Sequence, residues 1–358
     1  MVTRTVEVSR DPSHLCVRDG QMLVLRRDAN RQPLPAAPPN LAGSIPLEDL
    51  GVLVVDERDT TYTHSLLAQM AEHGCALVVC GRDHHPAGMY LPLNTSTQLL
   101  ARLDAQINAP RPRIKRLWQS VVAAKITAQA ANLPPGPART RLLTLSRGVK
   151  SGDPDNREGV AASVYWPALF EKAPLPSAFT RRGGEPAAPP PNGLLDYAYA
   201  ALRATVAREL VAAGLLPALG IKHIGRGNPF CLADDLMEPL RPIMDARVKY
   251  LVLAGNWTVN PESKAEVLKV LAETVLVRGE RGPLMVQVAR LVAAFVAVLT
   301  GDRDRLTPAD FPILPHAANA LRTAQGNATD SASTDPPQSV SDDDARGALP
   351  DEEDGEDR

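Results

Sequence analysis

Along the first ninety or so residues the apolar positions alternate or come in short β-branched runs, and beyond about Leu93 they recur every three to four positions. In "HLCVRDGQMLVLRR" two alternating runs flank Asp19-Gly20, which predicts a hairpin turning at that dipeptide. "LGVLVVD" and "CALVVCG" are short runs of the kind that fill a buried strand, and "AGMYLPL" predicts one more strand. Between them "THSLLAQMAEHG" has helical period, a threonine at its start and Gly74 at its end. Farther on, "STQLLARLDAQINA" predicts a bridging helix. The helical runs "IKRLWQSVVAAKITAQAANL", "DNREGVAASVYWPALF", "GLLDYAYAALRATVARELVAAG", "ADDLMEPLRPIMDARVKYLV" and "MVQVARLVAAFVAVLTG" follow it. Two Pro/Gly-rich segments interrupt this series. The longer, 171–193, holds six prolines and three glycines, with Leu175 and Phe179 as its large apolar anchors, and predicts a mobile loop or lid.

This pattern gives an α+β architecture. A small β-rich N-terminal domain (1–93) precedes a larger all-helical domain (94–325), and an acidic tail (326–358) ends the chain. A chain of 358 residues with 44% hydrophobic residues can bury a sizeable core; aromatics are only 4%, so Leu, Val and Ala must fill it. The net charge of −2 hides an asymmetry. The tail carries eleven acids against two arginines, a net of −9, so the preceding 325 residues carry +7. Such a tail is expected to be disordered, and a basic body permits an anionic partner. There is no apolar run long enough to span a bilayer and no signal-peptide core, so a cytoplasmic location with no membrane partner is expected. Four irregularly spaced cysteines suit reduced core thiols better than a disulfide framework, and the Cys75–Cys80 pair reads as core.

The chemistry concentrates in "KHIGRGNPFCLADDLMEPLRP", residues 222–242, where Asp234, Asp235 and Glu238 stand at helical spacing beside Leu232, Leu236, Met237 and Leu240. Acids beside a buried face are costly unless something positive meets them. An ion pair with Arg241, a helix cap or a divalent metal would each answer. Another acid, Glu158 in "GDPDNREGVAASVYW", begins a helix and is followed by Gly159 and a pair of alanines, small residues that would let another segment approach closely. Two carboxylates and the imidazole of His223 would suit Mg²⁺ or Mn²⁺. The plain alternatives are an acid complementing a helix dipole at Glu158, a hydrogen-bonded loop histidine at His223, and capping acids at 234–238. No second thiolate accompanies Cys231, which argues against zinc, and His84-His85 reads as a solvated turn.

Five blocks, in order, resemble the CRISPR-associated integrase of the spacer-acquisition module, in its type II form. They are "IPLEDLGVLVVDERDTTYTHSLLAQMAEHGCALVVCGRDHHPAG", "KRLWQSVVAAKITAQA", "GDPDNREGVAASVYWPALF", "LLDYAYAALRATVARELVAAGLLPALGI" and "NPFCLADDLMEPLRP". The resemblance implies that Glu158 in "NREG", His223 in "GIKH" and Glu238 in "ADDLMEP" are catalytic and hold the divalent ion, with Asp235 as an additional or outer ligand. Asp196 stands where the family usually has asparagine, and the 171–193 loop is unusually rich in proline and glycine.

The implied activity is metal-dependent insertion of short DNA fragments into a CRISPR array, with 3′-hydroxyl ends attacking phosphodiesters at the repeat borders. The implied partners are double-stranded DNA, a second copy of the chain joined through the sheet-rich domain, a small ferredoxin-like protein and the type II RNA-guided effector nuclease. Arg147, Arg181, Arg182 and Arg226 are candidate phosphate contacts, each equally readable as solvated surface. Two rival readings are a free-standing structure-selective DNA nuclease and a non-catalytic DNA-architectural subunit.

Overall fold

Among the described residues, ten strands and ten helices follow the two-part pattern. The computed structural model describes residues 4–28, 32–33, 39–82, 86–93, 96–175, 179–185 and 188–315. The His84-His85 doublet, the acidic tail and parts of the 171–193 loop (176–178 and 186–187) lie outside the described residues. The sheet-rich region comprises β1 (Arg4–Val8), β2 (Ser13–Arg18), β3 (Gln21–Arg26), β4 (Leu41–Pro46), β5 (Leu50–Val55), β6 (Thr61–Tyr62), α1 (His64–Glu72), β7 (Ala76–Cys80) and β8 (Pro86–Tyr90). They form two four-stranded sheets, ordered β1-β5-β7-β8 and β4-β3-β2-β6.

The hairpin falls where the alternation placed it. Arg18 pairs with Gln21 across Asp19-Gly20, and both turn residues have positive φ, 51° and 72°, as a two-residue turn of matching twist demands. All six residues of β5 are buried, as suits a strand flanked on both sides in parallel by β1 and β7. Thr63 caps α1 by accepting the Leu66 N–H. The two sheets and α1 close over a core of Leu15, Met22, Leu50, Leu53, Leu66, Met70 and Leu77. Cys75 is buried in it and donates to the Leu50 carbonyl at 2.9 Å; burial pushes its thiol up to about 11, so it is inert core. Cys16 and Cys231 are also free thiols, and Cys80 is partly exposed.

The helical region holds α2 (Leu99–Ile107), α3 (Arg111–Ala131), α4 (Pro137–Arg147), α5 (Arg157–Leu169), α6 (Asn192–Ala212), α7 (Cys231–Met237), α8 (Arg241–Leu253), α9 (Pro261–Lys269) and α10 (Leu284–Thr300). Two expectations need correction. The region is not all-helical: β9 (Thr274–Val277) and β10 (Glu280–Pro283) form a second hairpin on Arg278-Gly279, again with φ positive at both residues. The run 233–252 is not one helix either. Pro239 and Pro242 cannot supply the N–H groups that a continuous helix needs, so α7 passes through a 3-10 turn, Glu238–Leu240, into α8. Glu238 therefore sits at a junction, not on a helix face.

α6 is the central element, buried along most of its length and packed on α7, α8, α9 and α10. It also seats on the β1-β5-β7-β8 sheet: Tyr197 donates to Glu7 Oε1 at 3.3 Å, and Arg208 donates to the Gly74 carbonyl, just before β7, at 2.8 Å. Among the described residues no helix is long and apolar enough to cross a membrane.

Candidate active site

Glu158 is placed by the turn that starts α5. Asp153 and Asn156 both adopt positive φ, 50° and 48°. The Asp153 carboxylate accepts the N–H groups of Arg157 and Glu158 at 2.9 and 3.1 Å, and Asn156 Oδ1 accepts that of Gly159. Gly159 is small for this cap: a Cβ there would come within 2.6 Å of Asn156 Nδ2. The glycine thus makes room for a local side chain, not for the approach of another segment that the sequence suggested.

The three acids of α7 and its junction have three different partners. Asp234 takes Arg203 Nε at 2.6 Å and Asn228 Nδ2 at 2.7 Å. Asp235 is fully buried and gathers the preceding turn, accepting the N–H groups of Ile221 (2.6 Å), Lys222 (2.9 Å) and His223 (3.2 Å). The same carboxylate meets His223 Nδ1 at 2.6 Å, a contact that raises the imidazole above its ordinary range. Gly220 is obligatory here, since a Cβ would lie 2.3 Å from the His223 carbonyl and 2.9 Å from Asp235 Oδ2. With Nδ1 engaged, Nε2 is the ring nitrogen left for a ligand. Trp118 meets the ring edge-on, with centroids 6.0 Å apart.

Glu238 has a cation on each oxygen. Arg241 Nη1 lies 3.0 Å from Oε1, and Lys125 Nζ lies 2.5 Å from Oε2 without hydrogen-bond alignment. The same ammonium donates to Glu158 Oε1 at 2.6 Å, so Lys125, from the middle of α3, joins the two glutamates. Burial alone would push the Glu238 carboxyl up, but Arg241 and Lys125 more than offset it and hold it below its usual range. Burial likewise opposes the Lys125 ammonium, and the charges of Glu238 and Glu158 outweigh that and raise it.

A buried polar floor supports this pair. Asp245 accepts the hydroxyls of Tyr165, at 3.0 Å, and Tyr199. Asn132 donates to the Tyr165 oxygen at 3.0 Å and to the Pro242 carbonyl at 2.6 Å. Arg241 lies over the Tyr199 ring, 4.8 Å from its centroid. Burial pushes the Asp245 carboxyl up to about 6.

As they stand, no three acid, imidazole or thiol groups among the described residues come together so as to hold a metal ion. The donor chemistry nevertheless suits a hard divalent ion: two carboxylates already share one cation, one of their oxygens is buried without an aligned donor, and an imidazole with Nε2 unengaged stands beside them. The sequence reading missed Lys125. Its signal was a single cation among small and apolar neighbours in "VVAAKITAQA".

The candidate phosphate contacts divide. Arg181 is engaged within the protein, with Asp196 Oδ1 at 2.5 Å and Asn192 Oδ1 at 3.0 Å, and Asp196 also accepts the Gly184 N–H. Phe179 packs on Trp166 and Phe170, with centroids 5.5 and 4.6 Å away. The described parts of the expected lid are thus tied down. Arg182 lies 3.9 Å from Glu185 at the surface, while Arg147 and Arg226 are exposed and have no partner among the described residues.

Solved structures share this fold, two of them with known context. A casposase bound to its integration product superposes with a TM-score of 0.69 at 17% identity, covering 90% of this chain and all of the other. A Cas6-RT-Cas1–Cas2 complex superposes with a TM-score of 0.65 at 15% identity, covering 87% of this chain and 36% of its own. Fold and site thus define an α+β protein with an acid pair gathered on a lysine of its helical region, and at these identities the likeness speaks for fold alone. The closer kinship is in sequence. Over 262 residues the chain is 37% identical to the CRISPR-associated endonuclease Cas1 of Neisseria meningitidis serogroup C (strain 8013), spanning 72% of this chain and 83% of the relative. The profile of the CRISPR associated protein Cas1 family matches residues 154–273, which include Glu158, His223, Asp235 and Glu238. The chain belongs to the CRISPR-associated Cas1 family.

Proposed function

We propose that this protein is a metal-dependent DNA integrase with endonuclease activity, inserting short foreign DNA fragments as new spacers into a CRISPR array. The observation that carries this reading is the meeting of Glu158 and Glu238 on Lys125 beside His223, with both glutamates and the histidine inside the stretch that matches the family. Glu158, His223 and Glu238 would hold Mg²⁺ or Mn²⁺. When bound, the ion supplies positive charge to the phosphoryl oxygens and to the leaving 3′-oxygen. The residues do the rest. Arg241 keeps Glu238 ionised and ready to ligate, and Asp235 fixes the turn and the imidazole through four contacts to one carboxylate. A body of +7 favours the approach of DNA. The attacking 3′-hydroxyl forms one phosphodiester as another at the repeat border breaks, so strand joining needs no outside energy source.

The Cas6-RT-Cas1–Cas2 complex of shared fold supports assembly with a Cas2 protein, which we take to be the small ferredoxin-like partner. We extend this to a homodimer joined through the sheet-rich region, with the type II effector nuclease as a further participant, acting in the cytoplasm. The test is a strand-joining assay with a repeat-bearing plasmid, a short duplex with free 3′-hydroxyl ends, the partner protein and Mg²⁺ or Mn²⁺. Wild type should join ends to the repeat borders, and Glu158→Ala, His223→Ala and Glu238→Ala should not. Cleavage of branched DNA without any joining would replace the integrase reading with that of a free-standing nuclease.

A further inference from the structure

Two acids and two cations already balance at this site. Lys125 and Glu238 are nearly buried, their side chains 12% and 4% exposed, and Glu158 is 23% exposed. A divalent ion taken by the same carboxylates would add two charges to a poorly hydrated, balanced cluster, which is electrostatically costly. The cost falls if one resident cation withdraws, and the two differ in their freedom to do so. Arg241 stands at the start of α8 with its planar group over the Tyr199 ring. Lys125 carries a point charge on a flexible four-carbon stem, and its ammonium meets only the two glutamates among the described residues. Its contact with Glu238 Oε2 is close but unaligned, a contact of charge that another cation can replace.

Resting on the reading of Glu158 and Glu238 as ion-holding residues, we propose that Lys125 is a positioning residue that serves as an exchangeable counter-ion. It draws the two carboxylates together by its own charge and yields its place to the divalent ion, thereby setting how weakly that ion is held. Removing the competing charge while keeping both carboxylates should tighten ion binding, on the order of tenfold or more. A residue with a merely structural role would have the opposite effect, because its loss loosens the carboxylates and weakens binding.

The experiment is a Mn²⁺ titration of the full chain by calorimetry, with free Mn²⁺ followed by paramagnetic resonance, on wild type, Lys125→Met, Lys125→Arg and Glu238→Gln. Lys125→Met should bind Mn²⁺ about tenfold more tightly than wild type, Lys125→Arg should return toward wild type, and Glu238→Gln should lose most binding. Circular dichroism and a cooperative melt establish folding; should Lys125→Met not fold, Lys125→Gln is read in its place with the same expectation. A folded, uncharged variant that binds Mn²⁺ no more tightly than wild type overturns the proposal. If neither wild type nor the uncharged variants show Glu238-dependent binding, the ion-holding reading itself fails and takes this one with it.

Discussion

Replacing Asp245 by asparagine should remove a pH dependence from the stability of the fold. Asp245 is buried beneath the acid pair, and burial lifts its carboxyl from an ordinary 3.8 to about 6 despite the hydroxyls of Tyr199 and Tyr165. In the unfolded chain the same carboxyl titrates near its ordinary value. Between roughly pH 4 and 6 the folded protein therefore keeps a proton that the unfolded chain has lost. Stability from this group falls as pH rises through that window and is level above it. A shift of about two units corresponds to about 3 kcal/mol in all, of which about 1.4 kcal/mol falls between pH 5 and pH 8. Asp245→Asn keeps the shape, and its amide can accept one tyrosine hydroxyl and donate to the other oxygen, with one hydroxyl re-aimed. The assay is urea denaturation of both proteins at pH 5 and pH 8. The groups that shift elsewhere, including His223 (raised by Asp235) and Glu238 (held down by Arg241 and Lys125 against burial), are common to both proteins and cancel in the difference. Relative to wild type, the variant should gain about 1.4 kcal/mol on going from pH 5 to pH 8. An equal gap at both values, or a relative gain toward low pH, would refute the reasoning.

Three further outcomes are expected. Asp235→Ala strands three N–H groups and frees the imidazole, so strand joining should collapse, stability should fall by about 2 kcal/mol, and exchange of the Ile221 and Lys222 amides should accelerate; unchanged amide exchange would sink this account. Arg147→Ala and Arg226→Ala should each lower DNA affinity and flatten its salt dependence by about one unit of slope, as measured by fluorescence anisotropy, while leaving the melting temperature alone. Arg181→Ala should instead lower the melting temperature, because it unpairs Asp196; a salt-slope change without a melting change would place Arg181 on the DNA.

The sheets were largely legible because period-two patterning and an Asp-Gly turn are local signals, and β2, β3, β5, β7 and α1 lie where they point. β1 and β4 were not anticipated. β4, "LAGSIP", has little apolar pattern of its own and is held by pairing with β3. The break at Glu238 was written in Pro239 and Pro242, yet the apolar period running through them disguised it. At the site, resemblance and not spacing singled out Glu158, His223 and Glu238. Spacing alone left capping and ion pairing open; the structure shows ion pairs, Arg203–Asp234 and Arg241–Glu238, and no side-chain cap at the start of α7. Lys125 was invisible because its meaning depends on α3 crossing two segments that lie 33 and 113 positions away.

The turn that begins α5 has a consequence for phosphate. The start of a helix ordinarily offers unpaired N–H groups and a partial positive charge, a ready seat for an anion. Here that seat is taken: Asp153 occupies the N–H groups of Arg157 and Glu158, Asn156 occupies that of Gly159, and the Asn156 carbonyl takes that of Val160. A phosphodiester brought to Glu158 finds the backbone already spoken for and an acid at its door. Under the proposed function, a phosphate arriving here would have to be received by mobile charge, carried by side chains or by a bound ion, and not by the backbone of this turn.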